Sequence, residues 1–175
     1  MSNYKLKILV CGPPACGQSE LFLRLGKPKY ERDYKLTTGV DILLKEVMYE
    51  EGKYAVLSFW DIGGQERFSF IRTTFYKSAS GVLLMFDLTS AATWDNVINW
   101  HKEVKQHVGN IPFLLIGNNL DLIPEFGEAI DRDECQEYAD EEGSIYVETS
   151  AKEGTNVDKA ITELIKLIIS RNKGK

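Results

Sequence analysis

The chain has 175 residues, with 43% hydrophobic and 27% charged residues and a net charge of −5. That length and mix describe one globular domain, residues 1–175, with ample chain for a single core. The acidic balance argues against nonspecific nucleic-acid binding, and no apolar run approaches the ~20 residues that span a bilayer. Cys11, Cys16 and Cys135 are odd in number and show no metal spacing, which fits reduced thiols in a cytosol. The N-terminus goes straight into a strand pattern without a signal peptide, so the expected location is cytoplasmic.

Lys5 to Cys11 begins alternating and becomes continuously apolar, the pattern of a buried strand. Gly12 to Ser19 follows as a glycine-framed loop, and a helix runs on to about Gly26. Lys27 to Gly39 has no period and reads as a long polar loop, a common place for function. Val40–Glu50 and Lys53–Asp61 are strands joined by a hairpin at Glu51-Gly52. Ile42, Leu44 and Val47 set the alternation expected of an exposed edge. Gln65 to Lys77 reads as a loosely patterned, polar helix.

Gly81–Asp87 is a buried strand. Trp94–Val108 is an amphipathic helix capped by Thr93 or Ser90, with Trp94, Val97, Ile98 and Val104 facing the core. Pro112–Asn118 is another buried strand, Asp131–Glu142 a helix stopped by Gly143, and Ile145–Glu148 the last strand. Val157, Ala160, Ile161, Leu164 and Ile168 mark the stripe of a closing helix, and the tail 171–175 reads as frayed. The whole is an α/β fold, a six-stranded mostly parallel sheet with one antiparallel edge strand and helices on both faces.

Such folds bind ligands beyond the carboxyl ends of their strands, and the polar motifs fall there. Strand one ends at Gly12-Pro13-Pro14-Ala15-Cys16-Gly17-Gln18-Ser19, followed by Glu20. This matches the P-loop pattern at every fixed position except the lysine, replaced by Gln18. Its glycines permit a nest of inward N–H groups, and the helix N-terminus adds partial positive charge. Ser19 can offer a hydroxyl to magnesium. Strand three ends at Asp61-Ile62-Gly63-Gly64-Gln65: a carboxylate to hold magnesium through water, a glycine N–H for a terminal phosphate, and a glutamine to orient water. Strand five ends at Asn118-Asn119-Leu120-Asp121, where the carboxylate can accept from N1–H and the 2-amino group of guanine. Strand six ends at Thr149-Ser150-Ala151-Lys152, where a backbone N–H can meet the guanine carbonyl.

Together with Thr37-Thr38-Gly39-Val40-Asp41, Glu66-Arg67-Phe68 and Phe75-Tyr76-Lys77-Ser78-Ala79, these phrases make the chain resemble a Ras-superfamily small GTPase, most like the Rab branch. Ile62-Gly63 is less typical, since Rabs usually carry Thr-Ala there. The resemblance implies a guanine-nucleotide switch that binds GTP or GDP with Mg2+. It implies magnesium ligation by Ser19 and Thr37, with Asp61 acting through water and Gln65 positioning water for hydrolysis. The implied nucleotide-binding set is Gly12, Pro14, Ala15, Cys16, Gly17, Gln18, Ser19, Glu20, Tyr30, Tyr34, Thr37, Gly64, Asn118, Asn119, Asp121, Leu122, Ser150, Ala151 and Lys152. The resemblance also implies that Tyr30 stacks near the base and Tyr34 closes over the phosphates. The implied partners are effectors, exchange factors and GTPase-activating proteins, met through residues 37–42, Trp60 and 65–77, with Ile42, Trp60 and Tyr76 as the effector-reading cluster. A monomer without nucleic acid is implied. Rabs usually end in prenylated cysteines and this chain ends Lys173-Gly174-Lys175, so membrane attachment depends on a further lipidated tail.

Read singly, several of these residues are bland. Thr37 alone is an ordinary loop residue, Tyr30 and Tyr34 have loop surface as the alternative to their family roles, Trp60 alone reads as core, and Cys16 reads as a small packing residue. His101 and His107 are surface histidines too far apart for a shared ligand site. Departures from the family also carry a cost: Gln18 and Asn119 replace lysines, and Pro14 and Ala15 occupy positions often held by glycine. Removing one partner of a desolvated charge pair costs roughly 2–5 kcal/mol, which is ~1.5–3.5 decades of affinity. Three readings follow: a weakened GTP/GDP switch with slow hydrolysis, a pseudo-GTPase binding scaffold, and a different P-loop enzyme such as a nucleotide kinase. Asp121 with Ser150-Ala151-Lys152 disfavours the last, as does the lack of spare chain for a lid.

Overall fold

The computed structural model describes residues 4–26, 40–62 and 72–174. In chain order these form β1 (Tyr4–Cys11), α1 (Gln18–Leu25), β2 (Val40–Glu50), β3 (Lys53–Ile62), β4 (Gly81–Asp87), α2 (Ala91–Val108), β5 (Phe113–Asn118), α3 (Ile123–Phe126), α4 (Arg132–Glu141), β6 (Ile145–Glu148) and α5 (Val157–Lys173). The strands form one sheet in the order β2-β3-β1-β4-β5-β6. β2 and β3 pair antiparallel, and the other pairs are parallel. The sheet class and the antiparallel edge are those expected from the sequence.

Alternation along the central strands divides the core in two. Ile8 and Val10 of β1 point to one face, with Leu21 and Phe22 of α1 and Ile161, Leu164 and Ile168 of α5. Leu9 and Cys11 point to the other, with Trp94, Val97 and Val104 of α2 and Cys135 and Ala139 of α4. β1 is bracketed by β3 and β4, so the strand order reverses at it, and its carboxyl end is the switch point of the sheet. The loop 12–17 leaves the sheet there.

Several expectations need correction. α2 starts at Ala91, a turn earlier than expected, and Ser90 precedes it without a side-chain cap. Thr93 lies inside that first turn, where its hydroxyl bonds to the Ser90 and Asp87 carbonyls and accepts the Asp87 N–H. His101 is not a surface residue: at 3% exposed it shares the α2 stripe with Trp94, Val97 and Val104. Its Nδ1 stands 2.6 Å from the Tyr138 hydroxyl and its ring lies against Phe113, which satisfies a polar group inside an apolar face. On β2, Leu43 is buried while Leu44 is exposed, because Ile42 and Leu43 serve opposite faces of the sheet. The expected helix 65–77 falls partly outside the described residues; its described end is a 3-10 turn, Thr73–Phe75, and Tyr76 already lies beyond it. α5 continues to Lys173, so the described part of the tail is helical rather than frayed.

Candidate functional site

The phosphate side of the site is built on backbone. A Cβ on Gly12 would stand 2.2 Å from the Met85 carbonyl oxygen, and one on Gly17 would stand 2.1 Å from Asn118 Nδ2. Only glycine lets the loop approach β4 and β5 so closely. Gly17 also takes a φ of 96° as the residue before α1, and Ala15 takes 63°, a left-handed conformation that strains a side chain. The Gln18 side chain folds onto the loop itself. Its Nε2 donates to the Pro13 carbonyl at 2.8 Å, and its Oε1 accepts the Cys16 N–H at 3.2 Å. The Cys16 thiol is buried, and burial beside Asp87 pushes its pKa up to about 12, so it is packing and not a nucleophile.

The base side is built on side chains. Asn118, fully buried at the end of β5, ties three segments together. Its Nδ2 donates to the Cys16 carbonyl at 2.8 Å, and its Oδ1 accepts from Thr149 Oγ1 at 2.9 Å and from the Ala151 N–H at 3.0 Å. Asn118 is therefore a clasp between the two halves. The Ala151 N–H of the loop after β6 is engaged by Asn118. Asp121 is oriented by Ser150, whose hydroxyl donates to Oδ1 at 2.8 Å and itself accepts the Glu153 N–H at 3.0 Å. Asn119 adopts a left-handed φ of 67°, a conformation asparagine tolerates, and its Oδ1 lies 3.2 Å from Asn118 Nδ2.

The halves meet. Ala15, Gly17, Gln18, Ser19, Glu20, Asn119 and Leu122 line one open cleft of about 350 Å3. Asp61 is 8% exposed near the end of β3, in register with Val10 of β1, one strand from the loop. Thr37, Tyr30, Tyr34, Gly64 and Gln65 lie outside the described residues, as do residues 37–39 and 65–71 of the expected partner surface.

Behind the base side, Arg132 pairs with Glu148 through two nitrogens, and Tyr146 donates to the same carboxylate at 2.6 Å. Burial pushes the Glu148 pKa up, but these bonds outweigh it and hold the carboxyl below its usual range. This cluster anchors the end of β6 immediately before Thr149.

Of the expected effector-reading cluster, Ile42 and Tyr76 are buried, and the Tyr76 hydroxyl points to Glu103 at 3.3 Å. Trp60 is half-buried, with Lys7 Nζ 4.1 Å above its ring. Ile42 and Tyr76 belong to one buried core cluster, and Trp60 packs against it. Sequence reasoning also overlooked the charge of Glu20: its carboxylate Oε2 would lie 3.7 Å from a Cβ on Gly17, beside the phosphate loop. It overlooked Arg24 as well, which reaches the Ala151 and Lys152 carbonyls. Neither belongs to a motif, and a charged helix residue is usually solvated.

Comparison with known proteins fixes the family. The Ras family model matches residues 7–170, nearly the whole chain. The chain belongs to the Ras family. It is a Rab-like small GTPase by its relatives. GTP-binding protein yptV2 of Volvox carteri is 35% identical over 170 residues, covering 97% of this chain and 77% of that protein. Ras-related protein Rab-13 of Canis lupus familiaris is 33% identical over 174 residues, covering 99% of this chain and 84% of that one. Ras-related protein RABE1d of Arabidopsis thaliana is 35% identical over 170 residues, covering 97% and 78%. Within this Ras-family fold the P-loop therefore carries glutamine in the lysine position, bonded to its own backbone.

Proposed function

We propose that this Rab-like protein binds GTP and GDP with Mg2+ as a molecular switch and hydrolyses GTP slowly. The observation that carries the proposal is the juxtaposition of a Ser150-oriented Asp121 with a glycine-built phosphate loop, clasped together by Asn118. Asp121 would accept from N1–H and the 2-amino group of guanine, a donor pair adenine lacks. The loop N–H groups and the start of α1 would take the phosphates.

The residues present suit magnesium, a hard cation that takes oxygen ligands. Ser19 offers a hydroxyl in the cleft and Asp61 a carboxylate at the end of the neighbouring strand, with Thr37 as the further ligand. Bound there, the ion would neutralise charge between the outer phosphates. Gln65 would orient the attacking water. Effectors, exchange factors and GTPase-activating proteins would meet residues 37–42, Trp60 and 65–77, of which Trp60 is half-exposed. The protein would act as a cytoplasmic monomer, peripheral on membranes where a lipidated tail extends it. No helix among the described residues is long and apolar enough to cross a membrane.

A second reading, a pseudo-GTPase scaffold, is favoured by one observation: Gln18 stands in the position of the family's lysine, with the Glu20 carboxylate beside the loop. Phosphate release from GTP under multiple turnover separates the two. The switch predicts slow turnover that Gln65→Leu abolishes. Nucleotide binding without turnover, unchanged by that substitution, favours the scaffold.

A further inference from the structure

Arg24 lies on the last turn of α1, the helix that begins at the phosphate loop. Its side chain crosses to the loop after β6. Nε donates to the Ala151 carbonyl at 3.2 Å, and Nη2 donates to the Lys152 carbonyl. The guanidinium rests against Gly154, where an added Cβ would come within 3.3 Å of Nε. Arg24, Leu23, Glu20, Ala151 and Lys152 together line a cleft of about 410 Å3 on this side of the loop.

The Ala151 residue is thus gripped from two elements. Its N–H goes to Asn118 on β5 and its carbonyl to Arg24 on α1. The peptide joining Ala151 to Lys152 is planar and trans, so its C=O and N–H point in opposite directions. Fixing the carbonyl on Arg24 therefore fixes the Lys152 N–H away from α1. Arginine suits this task because its rigid fork places two donors on two successive carbonyls, whereas lysine carries a single point of attachment.

We propose that Arg24 is a positioning residue for base recognition: it holds the Ser150–Lys152 loop in the shape that reads the 6-oxo group of a purine. The proposal rests on the guanine-nucleotide reading given above. It assigns the 6-position to a loop held by α1 and leaves the 2-amino group to Asp121. Through Arg24 the helix that starts at the phosphates also sets the geometry at the base.

The two positions can be separated with nucleoside diphosphates. GDP and IDP share the 6-oxo group and differ at the 2-amino group, whereas ADP carries a 6-amino group. Displacement of a fluorescent GDP analogue by each is measured for wild type, Arg24→Ala and Arg24→Lys, with pyrophosphate as the phosphate-only competitor. In Arg24→Ala, GDP and IDP weaken together by about tenfold, the loss of a well-placed hydrogen bond. ADP and pyrophosphate keep their wild-type affinity, and the GDP-to-IDP ratio stays constant. Arg24→Lys, the variant that keeps the charge and guards against misfolding, loses about threefold.

An unchanged GDP-to-ADP ratio in either folded variant overturns the proposal. So does a fall in the GDP-to-IDP ratio, which would place the effect at Asp121, or an equal loss of pyrophosphate binding, which would make Arg24 a general support. Wild-type protein that does not prefer GDP to ADP overturns the guanine reading itself, and the proposal with it.

Discussion

The base half and the phosphate half of the cleft are made from different materials. The base half is held by side chains: Asn118, Thr149, Ser150 and Asp121 bond to one another and to backbone on the ends of β5 and β6. The phosphate half is held by main chain, with two glycines in tight approach and Gln18 fastened to its own loop. A family lysine is replaced in each half, by Gln18 in the second and by Asn119 in the first, while Asp121 and its Ser150 partner are present in the first. Under the proposed function, base selectivity and phosphate affinity rest on separate chemistry, so one can weaken while the other persists.

The largest expected effect comes from cutting the clasp between them. Asn118→Ala removes the partner of the Cys16 carbonyl, the Thr149 hydroxyl and the Ala151 N–H in a buried site. Buried groups left unpaired cost about 1–3 kcal/mol each. Destabilisation of at least about 3 kcal/mol in urea unfolding is expected. A loss below about 1 kcal/mol would mean the halves are held together by something other than Asn118.

Acid should act next, first where α2 packs on Phe113 and Tyr138. Burial lowers the His101 pKa from 6.5 to about 4. The folded protein keeps His101 neutral while the unfolded chain takes up a proton, so this stability is full above pH 6.5 and is lost as pH falls toward 4. Glu148, held below its ordinary 4.5 by Arg132 and Tyr146 against the effect of burial, loses its contribution as pH falls further. The melting temperature should therefore drop in two overlapping stages on acidification, and His101→Phe should remove the upper one. A flat profile from pH 7 to 4.5 would contradict this placement of His101.

The smallest effect belongs to the phosphate loop. Ala15 sits at a φ of 63°, which costs a side chain ~1–2 kcal/mol, partly offset by the chain entropy of glycine. Ala15→Gly should raise stability by roughly 0.5 kcal/mol in the same unfolding assay. A clear loss would show that the left-handed turn is not strained.

Much of this was legible in the sequence because strand periodicity and strand-end motifs are local. The apolar runs 8–11, 82–86 and 113–116 read as central strands and are central strands. What escaped depends on contacts distant in sequence. His101 looked polar in isolation and is buried only because Tyr138 of α4 supplies its partner 37 residues away. Tyr76 looked like interface and is core because Glu103 of α2 takes its hydroxyl. Arg24 belongs to no motif, and its carbonyl partners lie 127 and 128 residues on. Gln18 was legible as a missing charge, but its attachment to Pro13 and Cys16 was not.

We propose that this Rab-like site keeps guanine selectivity while Gln18 limits phosphate affinity. The direct measurement is the affinity of wild type and Gln18→Lys for GDP and ADP in magnesium buffer. Wild type should prefer GDP by at least about 100-fold, since a site built to pair polar groups rejects a base that leaves them unpaired. Gln18→Lys should tighten GDP about 10- to 100-fold, the worth of a charged hydrogen bond, with the GDP-to-ADP ratio unchanged. Equal binding of ADP and GDP, or a GDP affinity that the lysine leaves where it was, would contradict it.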